Sequence, residues 1–241
     1  MKKRTKGLLV LSVLLLALAL AAGIYAGDYY RADAAALKAL DSTDDVNVEC
    51  TAEQVVFRPR EPEAGLIFYP GGKVEFTAYA PLMQALAREN VLCILLKMPM
   101  NLAVLDVDAA AGIPEQYPEV ERWYLGGHSL GGSMAASHIA GEEGYEGLIL
   151  LASYSTAELK DSGLRVLSVY GSEDGVLNGE KYGMYRENLP DDFREVVVPG
   201  GNHALFGDYG SQEGDGEASI TAARQWEITA EAVAEMLEEG E

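Results

Sequence analysis

Cysteine, histidine and basic residues are all scarce in this chain, and each shortage narrows what it can do. The two cysteines, Cys50 and Cys93, stand alone in apolar, strand-like stretches, where a free thiol packs as a small hydrophobe. A bridge between them is not expected, because strand positions seldom meet disulfide geometry. The three histidines, His128, His138 and His203, show no ligand spacing with the cysteines, so neither a zinc site nor any other metal or cofactor is expected. Lys and Arg number 18 against 38 Asp and Glu, a formal net charge of −20. A surface so acidic repels phosphate backbones, which excludes nucleic acid as a partner and disfavours polyanionic substrates. Hydrophobic residues make up 49% of the chain and charged residues 23%, the balance of a globular protein rather than a disordered one. No internal repeat and no second domain is visible in the 241 residues, a length that suits one α/β domain.

The N-terminus breaks the acidic pattern. Lys2, Lys3, Arg4 and Lys6 precede an uncharged run from Gly7 to Gly27, and the first acid is Asp28. A run of about 20 residues is long enough to cross a bilayer as a helix, whereas the apolar part of a cleaved secretory signal is about 7–15 residues. Residues 1–27 are therefore expected to form a single-pass membrane anchor, with a cleaved signal as the alternative. The basic residues would stay cytoplasmic and the domain would lie outside. Residues 28–45 read as a linker containing a short alanine-rich helical stalk, and residues 46–241 as the domain.

Within the domain, strands and helices alternate. Strands are expected at Val46–Cys50, Gln54–Arg58, Gly65–Tyr69, Val91–Leu96, Arg122–Leu125, Gly147–Leu151, Leu164–Tyr170 and Arg194–Val198. Helices are expected at Phe76–Glu89, Asn101–Ala111, Ser133–Ala140 and Ser219–Glu239. Near-continuous apolar strands separated by helices predict a mostly parallel sheet covered on both faces.

The most informative stretch is Gly126-Gly127-His128-Ser129-Leu130-Gly131-Gly132. It contains Gly-x-Ser-x-Gly between an apolar strand and a small-residue helix, the context of a nucleophile elbow. There a strained turn holds a serine hydroxyl clear of the backbone, and the flanking glycines avoid clashes. The bland alternative is a glycine-rich turn with a capping serine. A serine needs a base. His128 adjoins the nucleophile on the turn, and His138 lies within the following helix. His203 sits in the loop at the carboxyl end of the last strand, where α/β sites form, and is the candidate base. Asp174, in the loop after the preceding strand, is the candidate acid, with Glu173 as close competitor. The order Ser129, Asp174, His203 is that of the α/β-hydrolase triad. The oxyanion requires backbone donors. Leu130, at the helix N-terminus, is one candidate. The turn Tyr69-Pro70-Gly71-Gly72-Lys73-Val74 supplies the other, Gly72 first and Lys73 second, unless it is a simple tight turn.

Through Gly127–Gly131, Tyr69–Val74, Gly171–Gly175 and Gly200–Gly207 the chain resembles the α/β-hydrolase superfamily, specifically small bacterial serine hydrolases of the dienelactone-hydrolase-like branch. The resemblance runs from the first strand to the C-terminus. It implies a central sheet of eight strands or fewer and hydrolysis of a carboxylic ester or related acyl bond. The chain departs from the dienelactone hydrolases in carrying Ser129 where those have a cysteine, so their substrate does not carry over. It also has Pro70-Gly71 where many relatives open the oxyanion loop with His-Gly. Only Ala152–Gly163 separates the sixth and seventh strands, too short for a lid, so the site should be open and shallow.

The expected activity is thus cleavage of a small-molecule acyl substrate through an acyl-enzyme on Ser129. An acyltransferase or a peptidase would use the same triad, and a non-catalytic binding module could be built on the same scaffold. The glycine-acid loop Gly207–Gly216 reads as a solvated loop. Calcium held by Asp208 and Asp215 is the alternative, although the spacing fits no EF-hand.

Overall fold

The computed structural model describes residues 11–18, 20, 23, 25 and 27–238. Eight strands form one sheet: β1 (Val46–Cys50), β2 (Gln54–Pro59), β3 (Ala64–Tyr69), β4 (Val91–Leu96), β5 (Trp123–His128), β6 (Gly147–Leu151), β7 (Arg165–Gly171) and β8 (Arg194–Val198). Their spatial order is β1-β2-β4-β3-β5-β6-β7-β8. β2 runs antiparallel to both β1 and β4, and every other pair is parallel. The helices are α1 (Ala34–Lys38), α2 (Ala80–Arg88), α3 (Leu130–Ile139), α4 (Gly179–Tyr185) and α5 (Ala222–Glu238). All eight expected strands are present; α4 was not expected.

The apolar runs fold as strands because both of their faces are covered. On β3, Leu66 and Phe68 pack with Leu82, Met83 and Leu86 of α2 and with Val233 and Met236 of α5. The alternate residues Ile67 and Tyr69 face the other way, into a cluster with Ala135, Ala136 and Ile139 of α3. Fully burying one such side chain is worth about 1.5–3 kcal/mol, so both faces of β3 contribute to the core.

The helix expected at Asn101–Ala111 is absent. Three single 3₁₀ turns, Pro99–Asn101, Ala103–Leu105 and Pro114–Gln116, stand in that region. Tertiary bonds claim the backbone groups a helix would need. Tyr69 Oη donates to the Val107 carbonyl (2.7 Å) and accepts from the Ala110 N–H (2.9 Å). The Asn101 carbonyl accepts from the Lys73 N–H at 2.8 Å. Met100 and Asn101 take φ of 52° and 55°, outside any right-handed helix.

The segment before β1 is packed on the domain. Tyr30 donates its N–H to the Lys73 carbonyl and accepts from the Glu75 N–H, both at 2.8 Å. Ala36 of α1 is fully buried. Asp208 holds the same segment, its carboxylate accepting from the Ala36 N–H (2.8 Å) and its carbonyl from the Asp33 N–H (2.8 Å). The expected span Gly7–Gly27 lies in part outside the described residues. Among the described residues, no helix is long and apolar enough to cross a membrane. Cys50 and Cys93 are both free.

Candidate active site

The carboxyl ends of β3, β5, β7 and β8 converge on one edge of the sheet, and each carries one part of the site. β5 ends in the elbow. Ser129 has φ 52° and ψ −121°, a conformation strained for any residue with a Cβ. Its N–H donates to the Leu151 carbonyl at 2.9 Å. The elbow closes this tightly only because its neighbours lack side chains: a Cβ on Gly127 would lie 2.6 Å from the Gly131 carbonyl carbon, and one on Gly131 would lie 2.3 Å from the Tyr69 carbonyl oxygen.

β7 and β8 supply Asp174 and His203. Asp174 Oδ2 accepts from His203 Nδ1 at 2.9 Å, and both side chains are almost wholly buried. The other carboxylate oxygen, Oδ1, accepts from the Val176 and Leu177 N–H groups at 2.9 and 2.8 Å. A carboxylate is acceptor-only when ionised, so the bond assigns the ring proton to Nδ1 and leaves Nε2 with a free lone pair. Nε2 has no hydrogen-bond partner within the protein. Glu173, the competing acid, instead accepts from the Ser172 hydroxyl at 3.0 Å and is exposed. Behind the histidine loop stands α5: buried Gln225 accepts from the Asn202 N–H (3.1 Å) and donates to the Asn202 carbonyl (2.9 Å).

Ser129, Leu130 and His203 line one open cleft of about 240 Å³, walled by Tyr154, Val176 and Leu177. No helix lies between β6 and β7 to cover it. A larger groove of about 540 Å³ runs between α1, α2 and α5, but neither a histidine nor a cysteine lines it.

The turn after β3 sorts its own donors. The Gly71 N–H goes to Tyr79 Oη (3.0 Å). The Lys73 N–H goes to the Asn101 carbonyl (2.8 Å), so Lys73, the second candidate, has no N–H to offer an oxyanion. Gly72 is left. It faces Leu130 closely, since a Cβ on it would sit 3.0 Å from Leu130 Cδ2. The Leu130 N–H opens α3, where the helix dipole favours negative charge.

The sequence gives His128 no role, yet it packs against the candidate base. Its ring lies 4.4 Å, centre to centre, from that of His203. Tyr79 Oη, which already accepts from Gly71, donates its single proton to His128 Nδ1 at 2.8 Å. Burial first, and the neighbouring His203 second, hold the His128 pKa well below the usual imidazole value. His128 is therefore neutral and ties the turn after β3 to the elbow strand. His138 pairs instead with Asp108 at 3.0 Å and pins the irregular 99–116 loop onto α3.

The sequence marks Asp215 only as an alternative calcium ligand. Its carboxylate is taken up by four backbone N–H groups, those of Gly175, His203, Ala204 and Gly216, and Asp208 is engaged by the N-terminal segment. Among the described residues, no cluster of metal-ligating side chains occurs. An aspartate amid glycines was the available signal, because such backbones bring N–H groups close to a carboxylate.

Comparison with known proteins places the family and the fold. Residues 65–227 match the model of the alpha/beta hydrolase family, more than half of the chain. No curated protein matches. Among solved structures, TT1662 from Thermus thermophilus is 15% identical with a TM-score of 0.60, over 80% of this chain and 98% of that one. Dienelactone hydrolase from Anabaena variabilis is 12% identical with a TM-score of 0.57, over 81% and 98%. Esterase 2 of Thermogutta terrifontis, phosphoramylated by tabun, is 14% identical with a TM-score of 0.56, over 83% and 96%. At such identities the likeness speaks for the fold, which these proteins share over about four fifths of this chain. The sheet order, the elbow and the family match together identify the chain as a member of the alpha/beta hydrolase family.

Proposed function

We propose that the protein is a serine hydrolase that cleaves small carboxylic esters through an acyl-enzyme on Ser129. The observation that carries this reading is the buried His203–Asp174 bond opening onto the same cleft as a serine in a strained elbow. His203 Nε2 takes the Ser129 proton as Oγ attacks the acyl carbon. The oxyanion that forms is met by the Leu130 and Gly72 N–H groups. His203 then gives the proton to the leaving alcohol. Water, activated by the same nitrogen, attacks the acyl-enzyme, and the acid leaves with Ser129 restored. The cleft, about 240 Å³ and without a cap, favours short acyl groups over long chains. The reading includes a location: the uncharged N-terminal run anchors the chain, with Lys2–Lys6 cytoplasmic and the domain outside.

The test is labelling by a serine-reactive fluorophosphonate together with ester turnover. Wild type should label and turn over short esters. Ser129→Ala should stay folded, fail to label, and lose about 10³-fold or more in kcat, since the triad acts as a unit. A wild-type protein that neither labels nor hydrolyses would point to a binding module.

A further inference from the structure

We propose that Asp215 is a positioning residue, a carboxylate clasp that sets the spacing between the loop carrying Asp174 and the loop carrying His203. Its kinetic consequence rests on the hydrolase reading above; its geometry does not.

The bond between His203 and Asp174 spans two loops that belong to different strands. A bond of 2.9 Å between loops survives only if the loops keep their distance, because hydrogen bonds fail beyond about 3.5 Å. Upstream, the two loops are joined by ordinary links: the Glu173 N–H donates to the Gly201 carbonyl and the Gly200 N–H to the Ser172 hydroxyl, both at 2.8 Å. Downstream, where the chemistry lies, the join is Asp215. Its Oδ1 accepts from the Gly175 N–H (3.1 Å), the residue after Asp174, and from the His203 N–H (3.2 Å). It also accepts from the Gly216 N–H (2.9 Å), while Oδ2 accepts from the Ala204 N–H (2.8 Å).

Four N–H groups converging on one side chain require a group that only accepts, with two oxygens, and an ionised carboxylate is that group. An asparagine of the same shape would turn an NH₂ toward at least one of these donors. The surrounding backbone is built for the contact. A Cβ on Gly216 would stand 2.0 Å from the Glu173 carbonyl oxygen, and one on Gly175 would stand 2.5 Å from the Gly214 carbonyl oxygen. The strap therefore lies directly on the acid loop. Asn202 Nδ2 adds a bond to the Gly216 carbonyl at 2.8 Å.

The experiment compares Asp215→Asn with Asp208→Asn in the full chain. Asp208 holds the other end of the strap and hydrogen-bonds to the N-terminal segment and Ala78, so it controls for a general loosening of the loop. Two readouts are taken: kcat and KM on a short soluble ester, and the far-downfield proton resonance of the His203 Nδ1–H. Asp215→Asn should lower kcat by about 10- to 100-fold, the scale of an ångström-sized misplacement, with KM nearly unchanged. It should also weaken or abolish the downfield resonance, which a merely structural role would leave in place. Asp208→Asn should keep the resonance, and any fall in kcat should be smaller than that of Asp215→Asn. Wild-type kcat and resonance in Asp215→Asn would overturn the proposal. If Asp215→Asn does not fold, Gly216→Ala lifts the strap with the carboxylate intact and should show the same two losses; a wild-type result there overturns the clasp equally. If wild type hydrolyses no ester while the resonance is present and disappears in Asp215→Asn, the hydrolase reading falls and the clasp stands.

Discussion

His128 shows how one buried side chain can make stability depend on pH. It is buried, accepts from Tyr79, and its pKa lies well below the ordinary value. The unfolded chain takes up a proton at this ring as pH falls through about 6.5, whereas the folded chain does not. Its contribution to stability is thus complete above about pH 6.5. Below that it drains away toward the depressed folded pKa, at about 1.4 kcal/mol per pH unit. His128→Gln, which cannot be protonated, should flatten this dependence. Urea unfolding of both proteins at pH 7.5 and pH 5.5 measures it, and identical slopes would assign the acid sensitivity to other groups. At this scale the sequence was partly legible. With three histidines and one of them at a strand's carboxyl end, elimination pointed to His203, and Asp174 now bonds to it while Glu173 faces solvent. His128, Tyr79 and Asp215 were not legible, because their roles arise where backbones distant in sequence converge. No spacing rule registers that Gly71 and His128 share one tyrosine hydroxyl.

Among the elements, the N-terminal segment makes the least obvious contribution. Tyr30 brackets the turn after β3, the proposed oxyanion turn, accepting from Glu75 and donating to Lys73, and Glu75 Oε2 accepts in return from the Ala32 N–H at 3.0 Å. Lys73 holds a φ of 59°, so the turn needs outside support to keep its shape. A chain beginning at Tyr29 should keep that support and its activity. A chain beginning at Asp41 should unfold at lower temperature and lose at least about tenfold in kcat, given that one oxyanion donor is worth about 10²–10³. Thermal melts and ester kinetics on the two chains decide it; equal activity would show that the turn stands by itself. Strands were the most readable elements, since β3, β4 and β6 are unbroken apolar runs buried on both faces. The 99–116 loop was the least readable. Its apolar spacing suits a helix, but Tyr69, Lys73 and His138 each capture part of it.

For the whole molecule, the acidic domain and the basic N-terminus should part company across a bilayer. If residues 7–27 anchor the chain, the full-length protein fractionates with membranes, and a chain beginning at Tyr29 stays in the supernatant. Protease added to wall-stripped cells should reach the domain. A mature N-terminus between Ala19 and Gly27 would instead indicate cleavage, and a protected domain would reverse the orientation. The parallel architecture was legible because alternating apolar segments leave few other ways to cover both faces of a sheet. How its two ends lock onto the site was not. The lock at the far end also orders events in time. Asn202, next to the base, is gripped from both sides by Gln225 of α5. A ribosome that has made every residue through His203 has made all three side chains of the proposed triad, yet the loop that presents the proposed base still lacks its backing. On the proposed mechanism competence therefore arrives with the last helix, and a message cut short before Ala222 should encode an inert product that carries every proposed reactive group.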